Sequence, residues 1–322
     1  MQIDTTIPTY CSGDQLVPAE AIRTWARRAE RAGIECLWAI DHLVNPPTYR
    51  TSVLDPLVVF AHAASVTDGM DFGTSVLLLP LRRTATVASQ VATLQHLIDG
   101  DLTLGVGAGY VDKEFEAAGV PKAERGPRLN EGIEVLQALF AGESSYDGQF
   151  HTFDGVQIDP IPEEPPRILA GGNSNVADGE RTIPEPIIDR ILRAGGWIAP
   201  PSHPERLDKE WSLIARRVSD RGVDPDSLTR VVLNYVHLVE GTPETTTAEQ
   251  RAAFEDLFSP SRGFEHAAEH CLTGTIDEVV EQLKRYEEIG FDRAIAGSVA
   301  HDPDVLDGQI ALFADRVLPA FG

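Results

Sequence analysis

Lysine is scarce in this 322-residue chain. There are four lysines among 27 basic residues, against 50 acidic residues, and the formal net charge is −23 at pH 7. A surface of this sign repels phosphate backbones, which disfavours nucleic acid as a partner. It also predicts strong self-repulsion in dilute buffer, which molar salt would screen because the Debye length falls to about 3 Å. We therefore favour a halophilic protein over an ordinary acidic one.

Cysteine and long apolar runs are also lacking. Cys11, Cys36 and Cys271 are too few and too scattered for a disulfide scaffold or a C-x-x-C zinc site. Apolar stretches such as 76–79 are too short to span a membrane, and the polar N-terminus has no signal-peptide pattern. These absences predict a cytoplasmic protein with free thiols and no membrane segment.

Strand-like and helix-like segments alternate along the chain. About eight strands alternate with helices and no low-complexity linker interrupts them, which favours one α/β domain over 1–322, a (β/α)8 TIM barrel with insertions, over a doubly wound sheet. A small hairpin is expected at 146–158. The segment 241–273 reads as largely irregular, either a lid or an ordinary surface excursion. The predicted strands are 3–9, 35–40, 72–79, 102–107, 167–170, 196–199, 230–239 and 292–296, and the predicted helices are 19–32, 54–66, 84–98, 129–140, 204–221 and two that begin after Thr275 and Asp302.

Catalytic side chains are few at the predicted carboxyl ends of these strands, where barrel enzymes place their chemistry. Those ends carry Asp41 and His42, Ser75, glycine-rich loops at 105–109 and 171–172, and His237. The loop at 105–109 is not a dinucleotide fingerprint, because Tyr110 stands where that motif needs glycine. No metal-ligand set, nucleophile elbow or P-loop is found. The pattern predicts that a bound cofactor performs the chemistry and that no metal takes part.

Six stretches together resemble the bacterial luciferase-like superfamily of flavin- and deazaflavin-dependent oxidoreductases. The resemblance covers nearly the whole chain and implies a TIM barrel, usually a homodimer, that binds FMN or the 5-deazaflavin coenzyme F-420 in its mouth. The stretches are 35–42, 72–80, 101–109 with Glu114 and Phe115, 125–136, 168–174, and 274–275 with the closing helix.

The resemblance also implies roles for particular residues. Thr74, Ser75 and Val76 would form a bulge with a cis Ser75–Val76 peptide behind the cofactor ring. Gly107 and Gly109 would line the edge of that ring, and Gly171, Gly172 and Asn173 would offer backbone N–H groups to its phosphate. Asp41 would hold the polar edge of the cofactor, and His42 would carry or stabilise the charge that develops in hydride transfer. Each of these roles has a purely structural alternative: a plain buried strand for Thr74, Ser75 and Val76, tight turns for the glycine loops, and a structural role for His42. His237 and His301 are weaker catalytic candidates.

The chain also departs from the family pattern. Ala108 stands where the sugar-phosphate dehydrogenase branch has an acidic proton donor, which disfavours that substrate. Val111 replaces a common asparagine, so that Tyr110 or Asp112 would have to supply its hydrogen bond to the cofactor. The segment 176–181 is less regular than the usual alanine-rich helix, which leaves the phosphate end of the site open.

Three function classes remain open from the sequence. The first is F-420-dependent hydride transfer to or from a small organic substrate. The second is FMN-dependent oxygen insertion, with reduced flavin supplied by a partner reductase. The third is a degenerate barrel that serves, without catalysis, as a cofactor-binding or structural protein. The halophilic composition favours the first, because halophilic archaea commonly use the deazaflavin.

Overall fold

The computed structural model describes residues 1–12, 17–44, 51–177, 180–258, 263–300 and 302–322. His301, a weaker candidate from the sequence, lies outside the described residues. The strands are β1 (Gln2–Thr6), β2 (Tyr10–Ser12), β3 (Cys36–Ala39), β4 (Thr51–Val53), β5 (Asp71–Leu77), β6 (Leu102–Val106), β7 (Tyr146–Asp147), β8 (Thr152–Phe153), β9 (Arg167–Gly171), β10 (Asn175–Ala177), β11 (Glu180–Thr182), β12 (Gly196–Ala199), β13 (Thr229–Val236) and β14 (Arg293–Ser298).

Eight of these strands close into a barrel in which all neighbours are parallel. The order around the barrel is β1, β14, β13, β12, β9, β6, β5, β3, with β3 pairing back onto β1. Helices α1 to α11 follow the strands, and this arrangement confirms the predicted (β/α)8 barrel. The helices are α1 (Ala19–Arg31), α2 (Pro56–Ala64), α3 (Thr84–Leu97), α4 (Asp112–Ala118), α5 (Arg125–Phe140), α6 (Glu185–Ala194), α7 (Pro204–Ser219), α8 (Pro243–Leu257), α9 (Phe264–His270), α10 (Ile276–Ile289) and α11 (Pro303–Leu312).

Helix boundaries follow local capping chemistry. Thr275 and Glu278 form the expected capping box at the start of α10, in which each side chain bonds the backbone N–H of the other residue. Asp302 accepts hydrogen bonds from the N–H groups of Asp304 and Val305 at the start of α11. Both predicted helix starts are therefore confirmed.

Two apolar clusters separate the inside of the barrel from its outer layer. Successive strand residues point to opposite faces, so alternate positions join the same cluster. On β13, Val231, Leu233 and Tyr235 belong to the inner cluster, while Val232 and Val236 belong to the outer cluster that packs against the helices. The same two-residue alternation assigns residues just beyond a strand end either to the inside or to the outside of the barrel.

The structure corrects the prediction for 241–273. This segment holds α8 and α9, and residues 259–262 between them lie outside the described residues. Phe254 and Phe258 of this segment join the inner cluster, and the Phe258 ring lies 5.8 Å from the Tyr235 ring at the carboxyl half of β13. The two helices therefore pack on the inner apolar layer of the barrel rather than forming an irregular excursion.

Other elements were not predicted from the sequence. Helices α4 and α6 were missed, as were the short ladder of β2 with β4 and the hairpin of β10 with β11. The hairpin at 146–158 is confirmed by the pairing of β7 with β8. Among the described residues, no helix is both long and apolar enough to cross a membrane.

Candidate active site

Two histidines continue the inward-facing positions of their strands at the carboxyl end of the barrel. His42 follows Cys36, Trp38 and Ile40 at two-residue spacing, and all three of these residues belong to the inner cluster. Because side chains alternate along an extended chain, His42 is directed toward the barrel mouth. The sequence-predicted catalytic residue therefore lies where barrel enzymes place their chemistry.

His42 is paired with a buried carboxylate. Its Nδ1 lies 3.0 Å from Oε1 of Glu114 on α4, and the same oxygen accepts a hydrogen bond from the backbone N–H of Leu43 at 2.7 Å. Glu114 is fully buried, and its Oε2 has no hydrogen-bond partner among the described residues. The ring of Tyr110 meets the His42 ring edge-on at 6.0 Å between centroids. The sequence pattern includes Glu114 but gives it no role, because the helix that presents this residue was missed.

Asp41 makes contacts of a different kind. Its Oδ2 accepts hydrogen bonds from the Leu78 N–H at 2.9 Å and from Arg82 Nε at 3.2 Å, and its Oδ1 accepts one from Arg82 Nη2 at 2.7 Å. Arg82 Nη2 also donates to Asp55 at 2.9 Å. These partners occupy both carboxylate oxygens and fix the end of β5 against the end of β3. The predicted contact of Asp41 with the cofactor stays a prediction, and the described contacts of this carboxylate are structural.

The β5 strand carries the predicted bulge. The Ser75–Val76 peptide is cis, and the register between β5 and β6 shifts between Thr74 and Leu77. Thr74 is buried and its Oγ1 donates to the Gly105 carbonyl at 2.8 Å, which fixes the strand before the bulge. The Ser75 hydroxyl is buried without a hydrogen-bond partner among the described residues. The predicted cis peptide is confirmed.

Val76 is the centre of a close junction between three strands. A Cβ on Gly107 would lie 2.4 Å from Val76 Cγ2, and a Cβ on Gly171 would lie 3.4 Å from Val76 Cγ1. The same Cβ on Gly171 would lie 3.8 Å from the Gly107 Cα. Because a side chain at Gly107 would collide with Val76, this glycine is needed for β5, β6 and β9 to form a wall from one valine and two glycines.

The glycine loop then turns away from this wall. Gly109 has φ +75°, a left-handed conformation that favours glycine, and a Cβ there would lie 3.3 Å from Phe115. The turn brings Tyr110, which is about half exposed, to the edge of the mouth beside His42. The structure thus places His42, Tyr110, Val76, Gly107 and Gly171 at the carboxyl end of the barrel.

The loop after β9 differs from a simple strand-to-helix turn. The Gly172 carbonyl accepts a hydrogen bond from Trp197 Nε1 at 2.7 Å, and Asn173 is exposed. The chain then forms the β10–β11 hairpin, whose tip at 178–179 lies outside the described residues, before α6 begins at Glu185. The departure at 176–181 noted in the sequence is therefore an inserted hairpin.

His237 is the second inward-directed histidine. It follows Tyr235 by two residues, while Val236 and Leu238 on either side belong to the outer cluster. Its Nδ1 is buried without a hydrogen-bond partner in the described part of the chain. Burial lowers the pKa of His237 below its usual value, against a smaller opposing effect of Glu249. His237 therefore follows the carboxyl end of β13, across the barrel from β5.

The fold and these residues define the class of protein. A (β/α)8 barrel carries a histidine–carboxylate pair and a wall of one valine and two glycines at its carboxyl end, the end at which barrels of this kind place their sites. The chain belongs to the luciferase-like monooxygenase family, whose family model matches residues 1–293.

Relatives in this family use both cofactors. The chain is 27% identical to an F420-dependent glucose-6-phosphate dehydrogenase of Nocardia farcinica, over 93% of this chain and 94% of that protein. It is 24% identical to an FMNH(2)-dependent dimethylsulfone monooxygenase of Pseudomonas fluorescens, over 92% of this chain and 85% of that protein. An uncharacterized protein of Mycobacterium tuberculosis is 34% identical over 164 residues, and this match spans only about half of each chain, 51% of this one and 52% of that one.

Solved structures share the fold. An F420-dependent secondary alcohol dehydrogenase, solved with an F420–acetone adduct, matches with a TM-score of 0.81 and 18% identity, over 100% of this chain and 99% of that one. The monooxygenase RslO1 from Streptomyces bottropensis matches with the same TM-score and 22% identity, over the full length of both chains. The relatives and solved structures named by activity are dehydrogenases and monooxygenases.

Proposed function

We propose that this protein is a coenzyme F-420-dependent oxidoreductase that transfers hydride to or from a small organic substrate. The observation that carries the proposal is the His42–Glu114 pair, which lies at the same barrel mouth as the wall of Val76, Gly107 and Gly171. Hydride transfer to or from a carbon that bears oxygen is accompanied by proton transfer at that oxygen. It therefore requires a proton-carrying group near the flat apolar surface that holds the cofactor.

The residues present fit a flat cofactor. Gly107 and Gly171 add no side chains to the wall around Val76, and the Ser75 hydroxyl, which has no hydrogen-bond partner among the described residues, is a buried group that can bond a polar atom of a ring. When bound, the deazaflavin supplies the acceptor or donor of hydride. The wall would hold one face of the ring, and the substrate would lie between the opposite face and the β13 side of the mouth.

His42 is the group that moves the proton. With Nδ1–H donating to the Glu114 carboxylate, the ring is fixed in one orientation and Nε2 carries the lone pair. When the substrate is an alcohol, Nε2 would take the hydroxyl proton as the hydride leaves the adjacent carbon. In the reverse direction the imidazolium would return that proton to a carbonyl oxygen, and the buried carboxylate would stabilise its charge.

FMN-dependent oxygenation is the second candidate, and the similarity to the dimethylsulfone monooxygenase supports it. We favour F-420 because His42 supplies the proton transfer that accompanies hydride transfer at oxygen, and because the acidic composition favours a halophilic source. We also propose a small-molecule substrate, a homodimer and a cytoplasmic location. The FMN candidate would need a partner flavin reductase.

Cofactor titration tests the choice. We expect oxidised F-420 to bind more tightly than FMN at high salt, as measured by fluorescence quenching, and we expect no rapid oxygen uptake by the protein loaded with reduced cofactor. Tighter binding of FMN together with rapid oxygen uptake would reject the F-420 proposal and promote the monooxygenase. Absence of binding by both compounds would reject both cofactor-dependent functions and leave a structural, non-catalytic barrel.

A further inference from the structure

The loop after β9 contains a buried carboxylate that belongs to a different element. Glu210 on α7 accepts hydrogen bonds from the backbone N–H of Ser174 and, at 3.0 Å, from the Ser174 hydroxyl. Arg181 on β11 donates from Nη1 to the same hydroxyl at 2.7 Å and to Glu210 Oε2 at 3.3 Å. The Glu210 side chain is 2% exposed, whereas the Arg181 side chain is 28% exposed.

These donors are the ones an anion site uses. A backbone N–H, a hydroxyl and a guanidinium that converge on one group make the donor set by which proteins hold phosphate oxygens. Here the Glu210 carboxylate occupies the position among these donors that a phosphate group would take. Placing a carboxylate on the buried face of α7, beside Leu207 and Trp211, costs several kcal/mol unless such donors compensate it. The charge on Glu210 and the donors around it therefore depend on each other.

Arg181 is the exchangeable member of this cluster. It contacts Glu210 through Nη1 alone, and about a quarter of its side chain faces solvent. Arg82, by contrast, contacts two carboxylates, those of Asp41 and Asp55. A second anion that arrives at the loop after β9 would thus find one guanidinium able to turn toward it.

We propose that Glu210 is an internal anion that competes with the phosphate of the bound cofactor for Arg181. In this arrangement Arg181 contacts the phosphate once the cofactor is bound, and Glu210 lowers the affinity for phosphorylated cofactors by holding Arg181 and by its own negative charge. The inference rests on the proposed function, because it requires a ribityl phosphate cofactor in the barrel mouth.

The test compares cofactors with and without phosphate. FMN and riboflavin, and the deazariboflavin core of F-420 with and without its 5′-phosphate, are titrated by fluorescence quenching, and within each pair the ratio of the two dissociation constants measures the contribution of the phosphate. Arg181→Gln is expected to reduce the preference for the phosphorylated compound about tenfold, the effect of losing one charge-assisted hydrogen bond. Glu210→Gln is expected to increase that preference. Neither variant should change the affinity for the phosphate-free compound.

Controls separate this inference from other outcomes. Arg217→Gln, at an exposed arginine on the helix that carries Glu210, removes the same charge as Arg181→Gln and should leave the ratio of dissociation constants unchanged. Arg181→Lys keeps the charge at a partly exposed site and should retain part of the preference, which covers the case in which Glu210→Gln fails to fold. Equal effects on phosphorylated and phosphate-free compounds, or a weaker phosphate preference in Glu210→Gln, would overturn the inference alone. Loss of all binding in the wild-type protein would overturn the proposed function with it.

Discussion

At the residue scale, Asp41 and His42 leave β3 toward opposite faces. His42 continues the inner positions Trp38 and Ile40, whereas the Asp41 carboxylate bonds Arg82 and the Leu78 amide. A pair of adjacent polar residues in the sequence thus divides into one group that faces the mouth and one that holds the scaffold. Because side chains alternate along an extended chain, the Asp41 and His42 side chains point to different sides, and this difference follows from backbone geometry without any argument from catalysis.

Replacement of His42 should therefore affect chemistry more than binding. In His42→Ala we expect unchanged cofactor affinity and turnover reduced by roughly 10²–10⁴, the usual contribution of a positioned acid or base. Glu114→Gln should also reduce turnover, but by less, because the imidazolium loses its carboxylate partner. The measurement is the rate of cofactor oxidation or reduction with whichever member of an alcohol and ketone panel supports turnover. His96→Ala, an exposed position in the last turn of α3, is the control. Turnover of His42→Ala within about twofold of wild type would assign His42 a structural role.

A second residue-scale prediction concerns Asp4 at the other end of the barrel. Asp4 is fully buried and bonds Trp38 Nε1 and Arg293, both at 3.0 Å. Burial outweighs the attraction of Arg293 and raises the pKa of Asp4 from 3.8 to about 6. The unfolded chain releases the Asp4 proton at a lower pH than the folded protein does. The contribution of the protonated Asp4 to stability is therefore present below about pH 4 and is lost as the pH rises through 6.

Asp4→Asn should remove this pH dependence. The unfolding free energy of the variant relative to wild type should increase between pH 4 and pH 7 by up to about 3 kcal/mol, the equivalent of two pKa units. Chemical denaturation at several pH values measures it, with Asp208→Asn at an exposed position of α7 as the charge-matched control. A difference between variant and wild type that stays constant from pH 4 to 7 would contradict the raised pKa.

The residues of the candidate site could be predicted from the sequence only in part. His42, Val76, Gly107 and Gly171 were chosen because they resemble a family pattern, and the structure brings all four to one end of the barrel. Glu114 could not be assigned a role, because its contact with His42 joins positions 72 residues apart on a helix that the sequence did not reveal. Glu210 and Arg181 carry no local signal, since their meeting depends on how α7 packs against the β10–β11 hairpin.

At the element scale, the strands and most barrel helices were predictable because hydrophobic periodicity and caps are local. The segment 241–273 was misread although it carried such a cap. Thr242 followed by Pro243 has the same pattern as Asp302 followed by Pro303, and the Thr242 side chain accepts a hydrogen bond from the Thr245 N–H. The packing of α8 and α9 on the inner cluster is a tertiary fact that the pattern could not supply.

The junction of β5, β6 and β9 gives an element-scale prediction. Gly107→Ala places a methyl group 2.4 Å from Val76 Cγ2 and should destabilise the fold by about 1–3 kcal/mol and weaken cofactor binding. The double variant Gly107→Ala with Val76→Ala should recover part of the stability, because it removes the colliding atoms. Thermal unfolding and cofactor titration measure both effects.

Gly308→Ala is the matched control for this junction. Gly308 lies exposed on α11 with nothing within 4 Å of an added Cβ, so alanine there should be neutral or stabilise by up to about 1 kcal/mol. If Gly107→Ala behaved like Gly308→Ala, the wall would have more room than the contact with Val76 indicates.

At the scale of the whole molecule, charge is the dominant feature. Many arginines form ion pairs, such as Arg285 with Glu205 and Arg316 with Glu240, and about half of each of these side chains is exposed. Exposed pairs contribute about 0–1 kcal/mol each, and salt weakens them. The excess of 23 negative charges has no such compensation, so the repulsion among the surplus carboxylates outweighs the attraction within the ion pairs in dilute buffer.

Stability should consequently increase with salt. Between about 0.1 M and about 2 M KCl the Debye length falls from about 10 Å to about 3 Å or less, so repulsion between separated carboxylates is screened. We expect the melting temperature to rise by about 5 °C or more, which corresponds to a few kcal/mol for a chain of this size. Sucrose at equal osmolality is the control, because it favours the compact state without screening charge, and it should raise the melting temperature less than KCl does. A melting temperature that stays flat or falls with KCl would count against a halophilic protein, and would remove the support that composition gives to F-420 over FMN.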